Sequence, residues 1–157
     1  MGFFAGELVL AFFFFLLFGS LANVLIYRIP RELPLGLMGG FRSCCPQCKQ
    51  VISAKDNIPV LSYFLLKGKC RKCQAKIPLR YPLVELSTAF ILSAVFAVSL
   101  LRHGEYWMET ENLVSLLVDL YFFYSLIVVF VIDVDFRIIP DRFSLGNWGF
   151  ALLAAYI

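Results

Sequence analysis

One histidine, His103, is all the imidazole this 157-residue chain offers, so nucleophilic catalysis driven by a histidine base has no support. Charge is scarce too: 16% of residues are charged against 61% apolar, and 17 are Phe. Soluble domains are about half apolar and about 25% charged, so this chain has too little charge to coat a water-exposed surface. No Lys or Arg precedes Arg28. A cleaved secretory leader carries its positive segment ahead of its apolar run, so that class is excluded. The chain also lacks a Gly-rich dinucleotide-binding signature, an internal repeat and a low-complexity tract.

What is present is apolar and asymmetric. Eleven of the 14 Lys and Arg residues lie between Arg28 and Arg80, where only Glu32 and Asp56 oppose them. Alone, such a segment suits nucleic acid. Between apolar runs, the positive-inside rule explains it better, and no nucleic-acid partner is expected. Leu8 to Tyr27 is an uncharged run of 20 residues, enough to cross a hydrocarbon core of about 30 Å as a helix. Further spans are expected at Leu83–Leu101, Leu113–Ile132 and, shorter, Phe143–Ile157. The orientation that puts 13 of the 14 basic side chains in the cytoplasm leaves only Arg102 outside, with the N-terminus. The expected fold is all-α and polytopic, with membrane lipid as its solvent. Its divisions are a first transmembrane helix (1–28), a cytoplasmic cysteine loop (29–82), and helices 2–4 (83–157). The final run is short for a span, so the chain reads as the front portion of a longer protein.

Cys45-x-x-Cys48 and Cys70-x-x-Cys73 are separated by 21 residues. Two such turns can supply four thiolates to one tetrahedral ion, which suits structural zinc and leaves no open position for catalysis. Disulfides are the rival reading and are disfavoured on a reducing cytoplasmic side. Cys44 is either an alternative ligand or uninvolved.

Ionisable groups beside a bilayer are costly and mark functional candidates. Asp133 follows a long uncharged run and should stand at the membrane–cytoplasm boundary, where the acids of this turn either serve chemistry or simply cap and solvate a loop. Asp135 lies two residues on and faces another side if helical, so the two make a poor self-contained pair. Asp141 comes later in the same polar turn. Glu85, at the entrance of the second span, could orient a substrate amine or bond to a nearby base. Asp119 sits near the outer end of the third span, about 21 Å along a helix from Asp133.

Several motifs occur in one order: Gly19-Ser20-x-x-Asn23-Val24-x-Ile26-Tyr27-Arg28-x-Pro30, Cys45-Pro46-x-Cys48, Asn57-Ile58-Pro59-x-x-Ser62-Tyr63, Lys67-Gly68-x-Cys70-x-x-Cys73, Arg80-Tyr81-Pro82-x-x-Glu85, and Asp133-x-Asp135-x-Arg137-x-x-Pro140-Asp141. Together they resemble the bacterial prepilin peptidases, or type IV leader peptidases. The resemblance implies an inner-membrane aspartic endopeptidase of type IV pilus and type II secretion systems. Such an enzyme removes the basic leader of prepilins or pseudopilins. It then methylates the new N-terminus with S-adenosylmethionine, an activity associated with the cysteine loop. By motif position Asp133 is the catalytic aspartate, with Asp135, Asp141 and Glu85 as secondary candidates. The family's second aspartate belongs to a Gly-x-Gly-Asp motif, which this sequence lacks. A non-enzymatic, zinc-bearing membrane scaffold is the alternative.

Overall fold

A computed structural model describes residues 3–34 and 43–138; Asp141 and the run Phe143–Ile157 lie outside the described residues. Among the described residues four α-helices succeed one another in chain order: α1 (Phe3–Arg28), α2 (Leu61–Leu65), α3 (Arg80–His103) and α4 (Thr110–Phe136). Single 3-10 turns occupy Ile29–Arg31, Ala54–Asp56 and Gly104–Met108. Among the described residues there is no strand, only two isolated β-bridges in the cysteine loop. α1, α3 and α4 are each long and apolar enough to cross a membrane.

These helices outrun the uncharged segments that announce them. α1 takes in Glu7, α3 begins at Arg80, and α4 continues through Asp133 and Asp135, where the sequence suggests a polar turn. A helix end leaves four carbonyls without intrahelical donors, so it is best placed where water or a cap can satisfy them. α3 accommodates Pro82 because N–H groups of the first turn have no intrahelical acceptor, so a missing one breaks no helix bond. α4 ends at Arg137, whose φ of 56° turns the chain left-handed and whose N–H reaches the Asp133 carbonyl at 2.7 Å.

α3 is the central helix, with α1 packed along it and α4 against it. Two apolar clusters hold the bundle. Toward the short connector between α3 and α4, Phe15, Leu16, Ala89, Leu92, Phe96, Leu100 and Leu116 pack together. Toward the cysteine loop the cluster is Ala22, Ile26, Val84, Val128 and Ile132. Between them Gly19 lies against the backbone of Glu85: a Cβ there would stand 2.6 Å from the Glu85 Cα. Small residues at a crossing let two backbones meet, as membrane helices commonly do. The outward faces carry bare Leu10, Phe13, Phe90, Leu101 and Phe130. In water that surface would be a liability; against lipid it is the expected one.

Candidate metal centre and helix-end acids

The cysteine loop is two copies of one small device. In each, the second cysteine is followed by a residue with positive φ, Lys49 at 58° and Gln74 at 60°. The first cysteine of each pair closes the turn. Lys49 N–H donates to the Cys45 carbonyl at 2.8 Å and Cys45 N–H to the Gln50 carbonyl at 3.0 Å. Gln74 N–H donates to the Cys70 carbonyl at 3.0 Å and Cys70 N–H to the Ala75 carbonyl at 2.9 Å. The bridges Cys44–Val51 and Lys69–Lys76 seal the two turns.

Packed face to face, these turns bring the sulfurs of Cys45, Cys48, Cys70 and Cys73 within 4.8 Å of one another. Cys45 Sγ and Cys73 Sγ are 3.8 Å apart. Zinc–sulfur bonds of about 2.3 Å in a tetrahedron place sulfurs about 3.8 Å apart, so the set can hold a metal ion. No cysteine is in a disulfide, and Cys44 stays outside the group. Without metal the four thiols are unequal. Backbone N–H groups of Cys73 and Lys72 pull Cys70 down to about 7. For Cys73, the Ala75 N–H acts downward, but desolvation and the other three sulfurs outweigh it and push the thiol up to about 11. Asp56, between the pairs, takes a two-point contact from Arg71, at 2.7 Å from Nη2 and 2.9 Å from Nε. That guanidinium lowers the Asp56 carboxyl and ties the intervening segment to the second turn.

The loop meets the helices at Glu85. Its Oε2 accepts the Val60 N–H at 2.7 Å, while Asn23 donates from Nδ2 to the Tyr81 carbonyl at 3.0 Å. Val60 has φ 61° and ψ −51°, and Leu61 N–H bonds the Pro59 carbonyl at 2.6 Å. This is a positive-φ γ-turn, a rare and strained conformation, here on a β-branched residue. Sequence reasoning finds Glu85 but misses Val60, since nothing in its residue type announces a left-handed backbone.

At the end of α4 the two aspartates part company. Asp135 pairs with Arg80 of α3, whereas Asp133 is exposed and has no ion-pair partner among the described residues. The helical spacing expected from sequence thus sends them to different surroundings. Arg31 lies over the Phe136 ring at 5.1 Å, so an arginine from each neighbouring segment holds this last turn. Neither Arg31 nor Arg80 is singled out by sequence reasoning as a partner of α4. The signal was their place at the ends of apolar runs. Asp119 is elsewhere: with Arg102 and His103 it lines a cavity near the connector.

Comparison with known proteins agrees with this anatomy. The model of the Bacterial Peptidase A24 N-terminal domain matches residues 13–99. The chain is 38% identical to the Prepilin leader peptidase/N-methyltransferase of Aeromonas salmonicida, covering 94% of this chain and 56% of that protein. It is 39% identical to the Type 4 prepilin-like proteins leader peptide-processing enzyme of Escherichia coli, covering 90% and 54%. With the Prepilin leader peptidase/N-methyltransferase of Vibrio cholerae, identity is 41% over 80% of this chain and 47% of that one. The chain therefore spans about half the length of the curated relatives it matches. No solved structure matches it. A family-model match over more than half the chain, on a helical membrane scaffold with a four-cysteine centre, makes this chain a member of the bacterial prepilin leader peptidase/N-methyltransferase family.

Proposed function

We propose that this chain is the front half of a bifunctional aspartic endopeptidase of the bacterial inner membrane. The complete enzyme removes the leader of type IV prepilins or pseudopilins and methylates the new N-terminus. In this reading residues 1–28 form the first span, residues 29–82 the cytoplasmic zinc loop associated with methylation, and residues 83–157 open the peptidase domain. The N-terminus lies outside, and the loop and Asp133 face the cytoplasm.

The observation that carries the reading is the contrast within the last turn of α4. Acids there face the negative end of the helix macrodipole. Arg80 offsets that cost for Asp135, and no cation among the described residues does so for Asp133. An aspartic protease needs such a carboxylate beside a second one. Their mutual repulsion leaves one ionised to activate water and the other protonated to donate. Asp133 takes one of these places, and the second acid is the family's Gly-x-Gly-Asp aspartate, supplied outside these residues. By motif position Asp135 and Asp141 are flanking residues.

The four thiolates suit zinc in a closed shell, and the ion would join the two turns into one rigid loop rather than touch substrate. S-adenosylmethionine would supply the methyl group in the second reaction; the chain's own part there is to bind and orient the amine. In the full-length protein, Asp133→Asn should abolish leader removal, scored by prepilin mobility on a gel, while membrane insertion and zinc content stay at wild-type level. Unchanged processing by that variant overturns the assignment.

A further inference from the structure

We propose that the cavity between the cysteine loop and the adjoining ends of α1 and α3 binds the primary ammonium of an apolar peptide, with the Glu85 carboxylate and the Asn23 Oδ1 as its acceptors. The cavity encloses about 750 Å³ and is lined by both residues, a size that suits a few residues of peptide. Asn23 is 5% exposed. Its amide nitrogen is committed to Tyr81, and its Oδ1 has no hydrogen-bond donor among the described residues. Leaving a buried acceptor unmatched costs free energy, so a donor is expected there.

Glu85 presents a related demand. The Val60 N–H donates to its carboxylate, yet it forms no ion pair among the described residues. A desolvated carboxylate without a cation is costly, and the strained γ-turn at Val60 holds this one in place rather than neutralising it. An ammonium carries three donors and one positive charge, which answers both the carboxylate and the bare carbonyl oxygen.

The cavity walls select the rest of the occupant. Val24, Ile58 and Leu66 offer apolar wall, while Lys49, Lys55 and Lys72 stand on the loop side. Added positive charge on the occupant meets those lysines, so an apolar chain with one terminal amine fits better than a lysine-rich one. That the amine is the N-terminus newly freed from a leader rests on the proposed function; the ammonium chemistry does not.

The test uses the full-length protein in detergent and three fluorescent octapeptides: apolar with a free α-amine, the same peptide Nα-acetylated, and a free-amine version with two internal lysines. The free-amine apolar peptide should bind at least about tenfold tighter than either of the others, as a charge-assisted hydrogen bond commands. Glu85→Gln still offers an oxygen to the Val60 N–H, so it should keep its zinc yet lose the preference for the free amine. Equal binding of free and acetylated peptides by the unmutated protein overturns the site, with no variant involved. A preference retained in Glu85→Gln does so as well. Leader removal scored on the same preparation separates the two readings. Cleavage without amine preference removes only this site, and amine preference without cleavage removes only the peptidase reading.

Discussion

Gly19 of α1 touches the backbone of Glu85 on α3: a methyl group added at Gly19 would stand 2.6 Å from the Glu85 Cα and 2.7 Å from its carbonyl oxygen. Both neighbours are main chain and cannot swing aside. The contact therefore sets how closely the first two spans approach, and with it where Glu85 stands relative to Asn23 and the loop.

Gly19→Ala should lower the stability of the detergent-solubilised protein by about 1–3 kcal/mol, the usual cost of overpacking. Gly6, with nothing within 4 Å of its virtual Cβ, is the internal control. There alanine should be neutral or stabilising by up to about 1 kcal/mol, because it is the better helix former. Thermal unfolding of the two variants checks the contrast, and equal midpoints would remove the close approach from consideration.

Elemental analysis should find one zinc per chain. Cys45→Ser and Cys73→Ser should each lose it, because three thiolates no longer close the shell. Cys44→Ser should retain it, since Cys44 lies outside the four-sulfur group. Chelation should speed protease cleavage between the two turns while α1, α3 and α4 stay helical by circular dichroism, because the ion joins the turns whereas each turn closes on its own backbone hydrogen bonds.

Stripped of metal, the thiols should alkylate in a fixed order. Cys70, held at about 7 by the Cys73 and Lys72 N–H groups, should react with iodoacetamide with half-maximal rate near neutrality. Cys73, pushed up to about 11, should remain largely unmodified until strongly alkaline pH. The folded loop prefers the Cys70 thiolate, so its contribution to stability is complete above the ordinary thiol value of about 8.5 and is lost as pH falls through about 7. Mass-spectrometric mapping across pH would reveal a reversed order if the N–H contacts do not form.

At Val60 the usual ranking of substitutions should invert. With φ at 61°, Val60→Gly relieves backbone strain of about 1–3 kcal/mol, whereas Val60→Ala keeps the strain and loses the side chain. The glycine variant should therefore melt higher than the alanine variant. The reverse order, normal for ordinary positions, would mean that the γ-turn is absent.

Much of this architecture was legible from one chain. The three long helices follow from uncharged runs, because a backbone in hydrocarbon must satisfy its own hydrogen bonds. The paired C-x-x-C turns, too, announce their joint purpose by residue type and spacing. Gly19 and Asn23 stand in the first motif, and the structure gives each its partner, Glu85 and Tyr81. The helix ends were less legible: α4 carries Asp133 and Asp135 inside its last turn, because hydropathy marks where lipid stops and not where hydrogen bonding does.

The sequence by itself determined that this chain lives in a membrane, carries a four-thiol centre and places acids at the end of an apolar run. All three depend on residue type and local spacing. Only the tertiary structure decided which acid receives a cation, that Arg80 reaches Asp135, and that Glu85 instead receives the N–H of a strained Val60. Those pairings depend on how closely two helices approach and on where a loop of positive-φ turns lays its backbone. Both are set by contacts between residues far apart in the chain, and no local pattern encodes such contacts.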